Sequence, residues 1–346
     1  MNAIPDSSLF VREATVREAM LADDAAITAF VEAHPASTPF HLPAWSRAVE
    51  RECGQRVRTL VAERDGAIVG MLPLTEVRSP LFGSALVSAG FAVDGGVLGE
   101  GDFAPAVIAL AERLGVGSIE LRGGVLPPGW TRDETTYLGF ARDLAANDDA
   151  ELLAIPRKQR AEVRKALVNP LKVVTGGVEL ADEHYRIYAE SVRNLGTPVF
   201  PRALFRAVLD AMDADILTIR HEGRAVASVL SLYHRGTVYP YWGGGTEVAR
   251  GLRANDRMYF ALMAHARARG CRRFDFGRSK AGTGPAAFKK NWGFEGRPLA
   301  YAKWAKGEAR DVNPLNPKYA LMVRTWQKLP LPVANLVGPW ISRGLG

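Results

Sequence analysis

Apolar and polar residues alternate over residues 57–64, a second β-type run returns over 67–77, and the pair Asp65-Gly66 stands between them. Alternation gives a strand one apolar face, and Asp-Gly between two such runs favours a tight hairpin. A second hairpin is predicted at 216–221 and 224–233 around Glu222-Gly223. Helical spacing predicts helices over 22–33, with Asp23 and Asp24 in the first turn, and over 42–52, where Trp45 and Val49 share a face. Residues 11–21 fit either a strand or a short helix. A long glycine-bearing loop over 79–96 is expected to line a cleft. A helix over 103–114 and strands over 118–122 and 135–143 complete the first half.

The second half repeats this order. Residues 148–168 read as one helix and 171–178 as a strand. Helices follow over 182–194 and 201–212, then the second hairpin, then a strand over 237–241 that ends in Gly243-Gly244-Gly245. A helix over 256–269 and strands over 273–276 and 299–304 come last. Each half therefore runs two helices, a hairpin, a helix and a strand, which implies two copies of one fold. The class is α+β, with a mixed, mostly antiparallel sheet flanked by helices in each copy. The absence of regular βαβα alternation argues against a doubly wound parallel sheet. The expected divisions are a first domain over 1–150, a basic linking helix over 151–169, a second domain over 170–310 and a tail over 311–346.

The 346 residues are 47% hydrophobic, enough for a substantial core, and carry 44 Lys+Arg against 37 Asp+Glu, a net charge of +7. That excess favours anionic partners without reaching the density of a dedicated nucleic-acid binder. Cys53 and Cys271, the only cysteines, form no C-x-x-C pair. This gives no disulfide framework and no cysteine-based metal site, and it fits a reduced cytoplasm. The six histidines are dispersed, so no metal site is expected. No signal peptide and no membrane-spanning run is expected. The proline-broken apolar stretch 329–346 either packs on its own domain or lies on the inner face of a membrane, with Trp340 at the interface. Gly-x-Ser-x-Gly and Walker patterns are missing, which argues against a serine hydrolase or an NTPase.

Candidate chemistry concentrates in residues 271–294. The aromatic run Phe274-Asp275-Phe276 reads as a strand stopped by Gly277. A cationic, glycine-rich loop with Arg278, Lys280, Gly282 and Gly284 would follow, able to meet an anion. Pro285 then opens a short helix with Phe288, Lys289 and Lys290. Asp275 is either a base for an amine or a partner that orients Arg278. Arg278 holds either a phosphate or a nearby acid. Lys289 is either a fixed cation for an oxyanion or a snorkelling surface lysine. Tyr239 and Tyr241 line an acceptor groove or pack the core, and Trp242 is expected with them on the substrate side. Arg157, Arg160 and Arg164 share a helix face, which is either solvated or a seat for a phosphate-rich ligand.

The order of elements resembles the GCN5-related N-acyltransferase fold, and its doubling resembles the FemAB family. The likeness runs from about Ala14 to Trp304. It is carried by Tyr239-Pro240-Tyr241-Trp242-Gly243-Gly244-Gly245, by Phe274-Asp275-Phe276-Gly277 and by Phe288-Lys289-Lys290. The segments 278–294 and 155–165 resemble a narrower branch, the FemAB-like proteins associated with exosortase/PEP-CTERM systems and exopolysaccharide production. This resemblance implies transfer of an acyl or aminoacyl group to an amine of a glycan or lipid-linked envelope precursor, with Lys289 in the position implicated in catalysis. The donor it implies is aminoacyl-tRNA or acyl-CoA, with no tightly bound cofactor. Residues 249–255 depart from the acyl-CoA loop pattern Arg/Gln-x-x-Gly-x-Gly/Ala, and the coiled-coil insertion for tRNA is missing. Other readings are an acetyl-CoA-dependent amine acetyltransferase and a non-catalytic precursor-binding protein. A chain that carries both copies is expected to act as a monomer.

Overall fold

The computed structural model describes residues 13–307 and 320–346. Residues 1–12 and 308–319, which hold the start of the 11–21 segment and of the expected tail, lie outside the described residues. The chain opens with β1 (Thr15–Glu18), α1 (Asp24–Ala33) and α2 (Pro43–Cys53). Then come the hairpin β2 (Arg56–Arg64) and β3 (Ala67–Ser79), β4 (Gly83–Ser88), β5 (Leu98–Gly99) and α3 (Ala104–Leu114). β6 (Ser118–Arg122), β7 (Thr131–Asp133) and β8 (Tyr137–Asp143) lead to α4 (Asp148–Ala154) and α5 (Arg157–Val168). The second copy holds β9 (Leu171–Gly176), α6 (Ala181–Asn194), α7 (Arg202–Ala211), and the hairpin β10 (Ala214–His221) and β11 (Arg224–His234). β12 (Thr237–Gly245), α8 (Glu247–Gly251), α9 (Ala254–Ala268), β13 (Arg273–Lys280) and α10 (Gly284–Asn291) follow. The chain closes with β14 (Gly296–Pro298), β15 (Tyr301–Ala305), α11 (Ala320–Lys328) and α12 (Leu331–Ser342).

Both hairpin turns place two consecutive residues at positive φ, Asp65 (51°) with Gly66 (79°) and Glu222 (50°) with Gly223 (77°). That backbone twist matches the twist of the flanking strands. The helix expected over 148–168 is divided. Pro156 disfavours the helical region for the residue before it, and Ile155 turns extended at ψ 132°. The long loop expected over 79–96 contains β4, whose ladder with β3 runs from Leu74↔Ser88 to Ser79↔Gly83.

Two mixed sheets result. The first has the order β1-β2-β3-β4-β6-β15-β7, with β5 beside β3, and the second β14-β8-β13-β12-β11-β10-β9. Each sheet contains one parallel pair at the same place in its copy. β4 and β6 pair only through Leu86↔Ile119 and Val87↔Glu120, and β12 and β13 only through Thr237↔Arg273 and Val238↔Phe274.

The sheets do not follow the expected divisions at 150 and 170. β8, from the first half, lies between β13 and β14 in the second sheet, and β15, from the second half, lies between β6 and β7 in the first. Alternation identifies a strand but not its partner. The halves also share a core, in which Phe40 and Trp45 pack with Phe205, Ile216 and Trp242. Trp45 stacks on Trp242 with ring centroids 5.8 Å apart. Trp242, expected in an acceptor groove, is buried in this core, because inward-facing positions of β12 meet α2 and α7 rather than solvent.

Candidate functional site

Beyond Val238 and Phe274 the strands β12 and β13 diverge, and a cleft of about 1400 Å³ opens between them. Each lip of the split carries an irregularity. On β12, Pro240 faces Ser231 and Trp242 faces Leu230, so Tyr241 is an extra residue in the ladder. Pro240 has no N–H to donate, which suits a bulge. On β13, Asp275 faces Ala141 and Arg278 faces Gly139, so Phe276 and Gly277 together oppose the one residue between. Gly277 takes φ +67°, the left-handed region that glycine enters freely.

Gly277 was expected to end the strand. The structure corrects this: Arg278, Ser279 and Lys280 continue β13 and pair with Gly139, Leu138 and Tyr137. The expected cationic loop shrinks to the turn after Lys280.

Lys289 holds the second bulge in place. Its Nζ donates to the carbonyls of Phe276 (2.6 Å), Gly277 (3.2 Å) and Arg278 (3.0 Å). Helix α10 presents it from above the strand, and Phe288 packs on Tyr259 and Phe276 at 5.7 and 6.3 Å between centroids. Burial lowers the Lys289 ammonium to about 7; Asp275 opposes this fall and Arg278 adds to it. All three of its donors point at backbone carbonyls, so Lys289 here is a clamp on the bulge, with its charge beside the cleft.

Asp275 accepts a hydrogen bond from the Gly277 N–H at 2.8 Å. Burial raises its carboxyl above the usual range, and the charge of Asp94 adds to the rise. Asp94 belongs to the first half; burial raises it too, against a 2.6 Å hydrogen bond from the Gly95 N–H. Arg278 lies 4.7 Å over the Tyr137 ring and donates to the Tyr301 hydroxyl at 2.8 Å. Tyr301 in turn donates to the Val93 carbonyl at 2.7 Å. The hydroxyl of Tyr241 donates to the Phe91 carbonyl at 2.6 Å. The loop after β4 is thus tied to both lips of the split.

Tyr239, Tyr241, Asp275, Arg278, Phe288 and Lys289 all line the cleft. Phe40 and Val93 close one side from the first half, and Ser191 of α6 closes another. At the opposite end lie Arg250, Arg253 and Asn255, where α9 begins. The Asn255 Oδ1 is buried there without a hydrogen-bond partner among the described residues. Other expected residues lie elsewhere. Lys280 is 5.8 Å from the centre of the Tyr137 ring, and Lys290 is exposed on α10. Arg157 is exposed, and Arg160 donates to the carbonyls of Ile155 and Leu153, closing the end of α4. Both arginines belong to the region around the break at Pro156, away from the cleft lining.

Sequence reading missed Asp94, Asn255 and Tyr259. Asp94 stands before Gly95-Gly96, and such a pairing in a long loop was its only signal. Among the described residues, no group of three His, Cys, Asp or Glu could hold a metal ion.

Residues 157–290 match the family described as the acetyltransferase (GNAT) domain. No curated protein is similar enough in sequence to count as a match. Among solved structures the chain is similar to FemX, at 16% identity and a TM-score of 0.64, over 89% of this chain and 100% of that one. It is similar to a tandem GNAT protein of the clavulanic acid biosynthesis pathway, at 15% identity and a TM-score of 0.53, over 86% and 99%. A third likeness is to a C-terminal domain described as that of a putative lysylphosphatidylglycerol synthetase, from Agrobacterium fabrum, at 15% identity and a TM-score of 0.54, over 88% and 96%. At these identities the likeness is one of fold. The architecture is that of two tandem GNAT-fold copies, and the second copy carries the acetyltransferase-type domain.

Proposed function

We propose that this chain is a FemAB-like N-acyltransferase, moving an acyl or aminoacyl group to an amine of a cell-envelope or exopolysaccharide precursor at the cytoplasmic face of the membrane. The observation that carries this reading is the split between the parallel strands β12 and β13, open at the start of α9 and bulged on both lips. Diverging strands leave backbone groups without ladder partners, and an extended acyl donor supplies them. The first turn of α9, with Arg250 and Arg253 beside it, suits the phosphates of either acyl-CoA or aminoacyl-tRNA.

The acceptor amine enters beside Phe40, Val93 and Tyr239. Asp275 takes its proton, since a buried carboxylate with a raised pKa is a better base near neutral pH. The freed amine attacks the carbonyl of the donor at the split. The bulge around Gly277, held by Lys289, fixes the geometry in which the tetrahedral oxyanion forms. The proton on Asp275 then leaves with the departing thiol or hydroxyl, and the second proton of the attacking nitrogen, shed as the amide forms, passes to solvent. A second reading, an acetyl-CoA-dependent amine acetyltransferase, is favoured by the acetyltransferase match over 157–290. It uses the same residues and differs only in the donor.

Thermal shift with acetyl-CoA and, separately, with a pool of charged tRNA tests the donor, followed by labelled transfer to a crude amino-sugar glycan fraction. Stabilisation and transfer with one donor identify it. No stabilisation and no transfer with either would sink the transferase reading.

A further inference from the structure

Helix α12 is built inside out. The residues it turns to the protein are small: Ala334, Gly338 and Ser342 are buried, and a Cβ on Gly338 would stand 3.1 Å from Val199. The residues it turns to solvent are large and apolar: Val333 is 43% exposed, Leu336 80%, Val337 36% and Trp340 47%. No charged residue occurs between Leu331 and Ser342. The helix is nonetheless fixed to the body. Gln55 donates to the Arg343 carbonyl at 2.9 Å, and Arg122 donates to the Gly346 carbonyl at 3.0 Å. Leu321 and Met322 extend the apolar surface onto α11, at 75% and 51% exposed.

Positive charge predominates beside this face. Residues 320–346 contain Arg324, Lys328 and Arg343 and no acidic residue. Beside Trp340 lies a cavity of about 520 Å³ bordered by Arg56, Arg58, Arg78 and Arg343, with Glu76 the one acid in its lining among the described residues. Arg58 and Arg78 reach Glu76, at 3.6 and 2.6 Å. Arg56 and Arg343 have no ion-pair partner among the described residues. Leu81, half-exposed at the turn after β3, completes the rim with Trp340. A cationic pocket with an apolar, tryptophan-bearing rim has the two signals that stable peripheral anchoring requires.

We propose that α12 and this arginine-lined pocket dock the protein on a bilayer of anionic phospholipid, with Leu336 and Trp340 in the interface and a lipid phosphate between Arg56 and Arg343. Among the described residues no helix is long and apolar enough to cross a membrane, so the contact is with the surface. This inference stands apart from the chemistry of the cleft and holds whichever donor is used.

Co-sedimentation of the full chain with vesicles tests it. Binding is expected to phosphatidylcholine vesicles containing phosphatidylglycerol, weakened by salt, and to be marginal with phosphatidylcholine alone. Replacing Leu336 and Trp340 together by glutamate should abolish it. Arg56→Ala with Arg343→Ala should weaken it about 25-fold, near fivefold for each cation. Both variants should melt as the parent does, since none of these side chains is buried. Three results would overturn the proposal: no sedimentation with anionic vesicles, equal binding to neutral ones, or binding that survives Leu336→Glu with Trp340→Glu in a folded protein. A dimer by light scattering that Leu336→Glu breaks, with no vesicle binding by the parent, would assign the face to a second copy instead. Protection by glycerol phosphate without vesicle binding would assign the pocket to a soluble ligand.

Discussion

Gly277 is the narrowest constraint in the cleft. A Cβ there would meet nothing within 4 Å, so space is not what demands glycine. The positive φ is, and Gly277→Ala should cost about 1 kcal/mol in denaturant unfolding while misplacing the bulge and lowering turnover. Lys289→Ala removes the clamp on the same three carbonyls. Turnover should fall at least about tenfold with the circular dichroism unchanged. Lys289→Arg should not restore it, because a planar guanidinium cannot aim three donors at carbonyls that converge on one nitrogen. A near-normal rate in both variants would remove Lys289 from the mechanism. For Asp275 the sign follows from its raised pKa. A base loses activity as pH falls through its own pKa, so the acid limb of kcat/KM should sit above the ordinary carboxylate range. Asp275→Asn should erase that limb and slow the reaction. Survival of the limb in Asp275→Asn and its loss in Asp94→Asn would transfer the role to Asp94.

At the level of elements, local rules were legible and register was not. The hairpins could be read because an Asp-Gly or Glu-Gly turn decides its own geometry within four residues. The break of the 148–168 segment was missed, although its cause is equally local: Pro156 turns Ile155 out of the helical region. The continuation of β13 through Arg278–Lys280 was hidden, since a glycine inside a strand reads alike as a stop or as a bulge, and only the partner β8 decides. Lys289 could be selected from its neighbours in sequence, yet its three carbonyl partners belong to a different element and could not. The last two of the three glycines that end β12 answer to different neighbours. A Cβ on Gly244 would stand 2.3 Å from the Ser191 Oγ, and one on Gly245 would stand 2.7 Å from both the Ala249 Cβ and the Asn255 Oδ1. Gly244→Val should therefore push α6 off the sheet and destabilise by about 1–3 kcal/mol, read as a shift in the denaturant midpoint.

Across the whole molecule, three neutral histidines are sealed in. Burial lowers His41 and His234 to about 4 and His184 to about 3. His234 bonds Ser37 at 2.7 Å and His41 approaches the Gly96 carbonyl at 3.2 Å, so the first two lie in or beside the seam between the halves. Between pH 6.5, the ordinary histidine value, and about 4 the folded chain binds fewer protons than the unfolded one. Stability must drop as pH is lowered across that window, on the order of 1 kcal/mol per histidine per pH unit. Denaturant unfolding at several pH values checks the slope, and His234→Gln should flatten it. The seam also bears on dissection. A fragment 151–346 lacks β8, the strand between β13 and β14, and should not give a cooperative melt, whereas adding residues 137–150 restores its sheet.

The exchange of β8 and β15 has a further consequence during synthesis. β6 emerges from the ribosome and β7 follows soon after, but β15, the strand that belongs between them, is nearly the last to be made. At roughly 5–20 residues per second the gap lasts on the order of ten seconds or more. For that interval β6 has an open edge, bearing the apolar Ile119 and Leu121, with nothing to close it. The nascent chain is therefore most vulnerable to association with its neighbours on a polysome before Tyr301 arrives, and premature termination just short of that residue should yield aggregates rather than a soluble first domain.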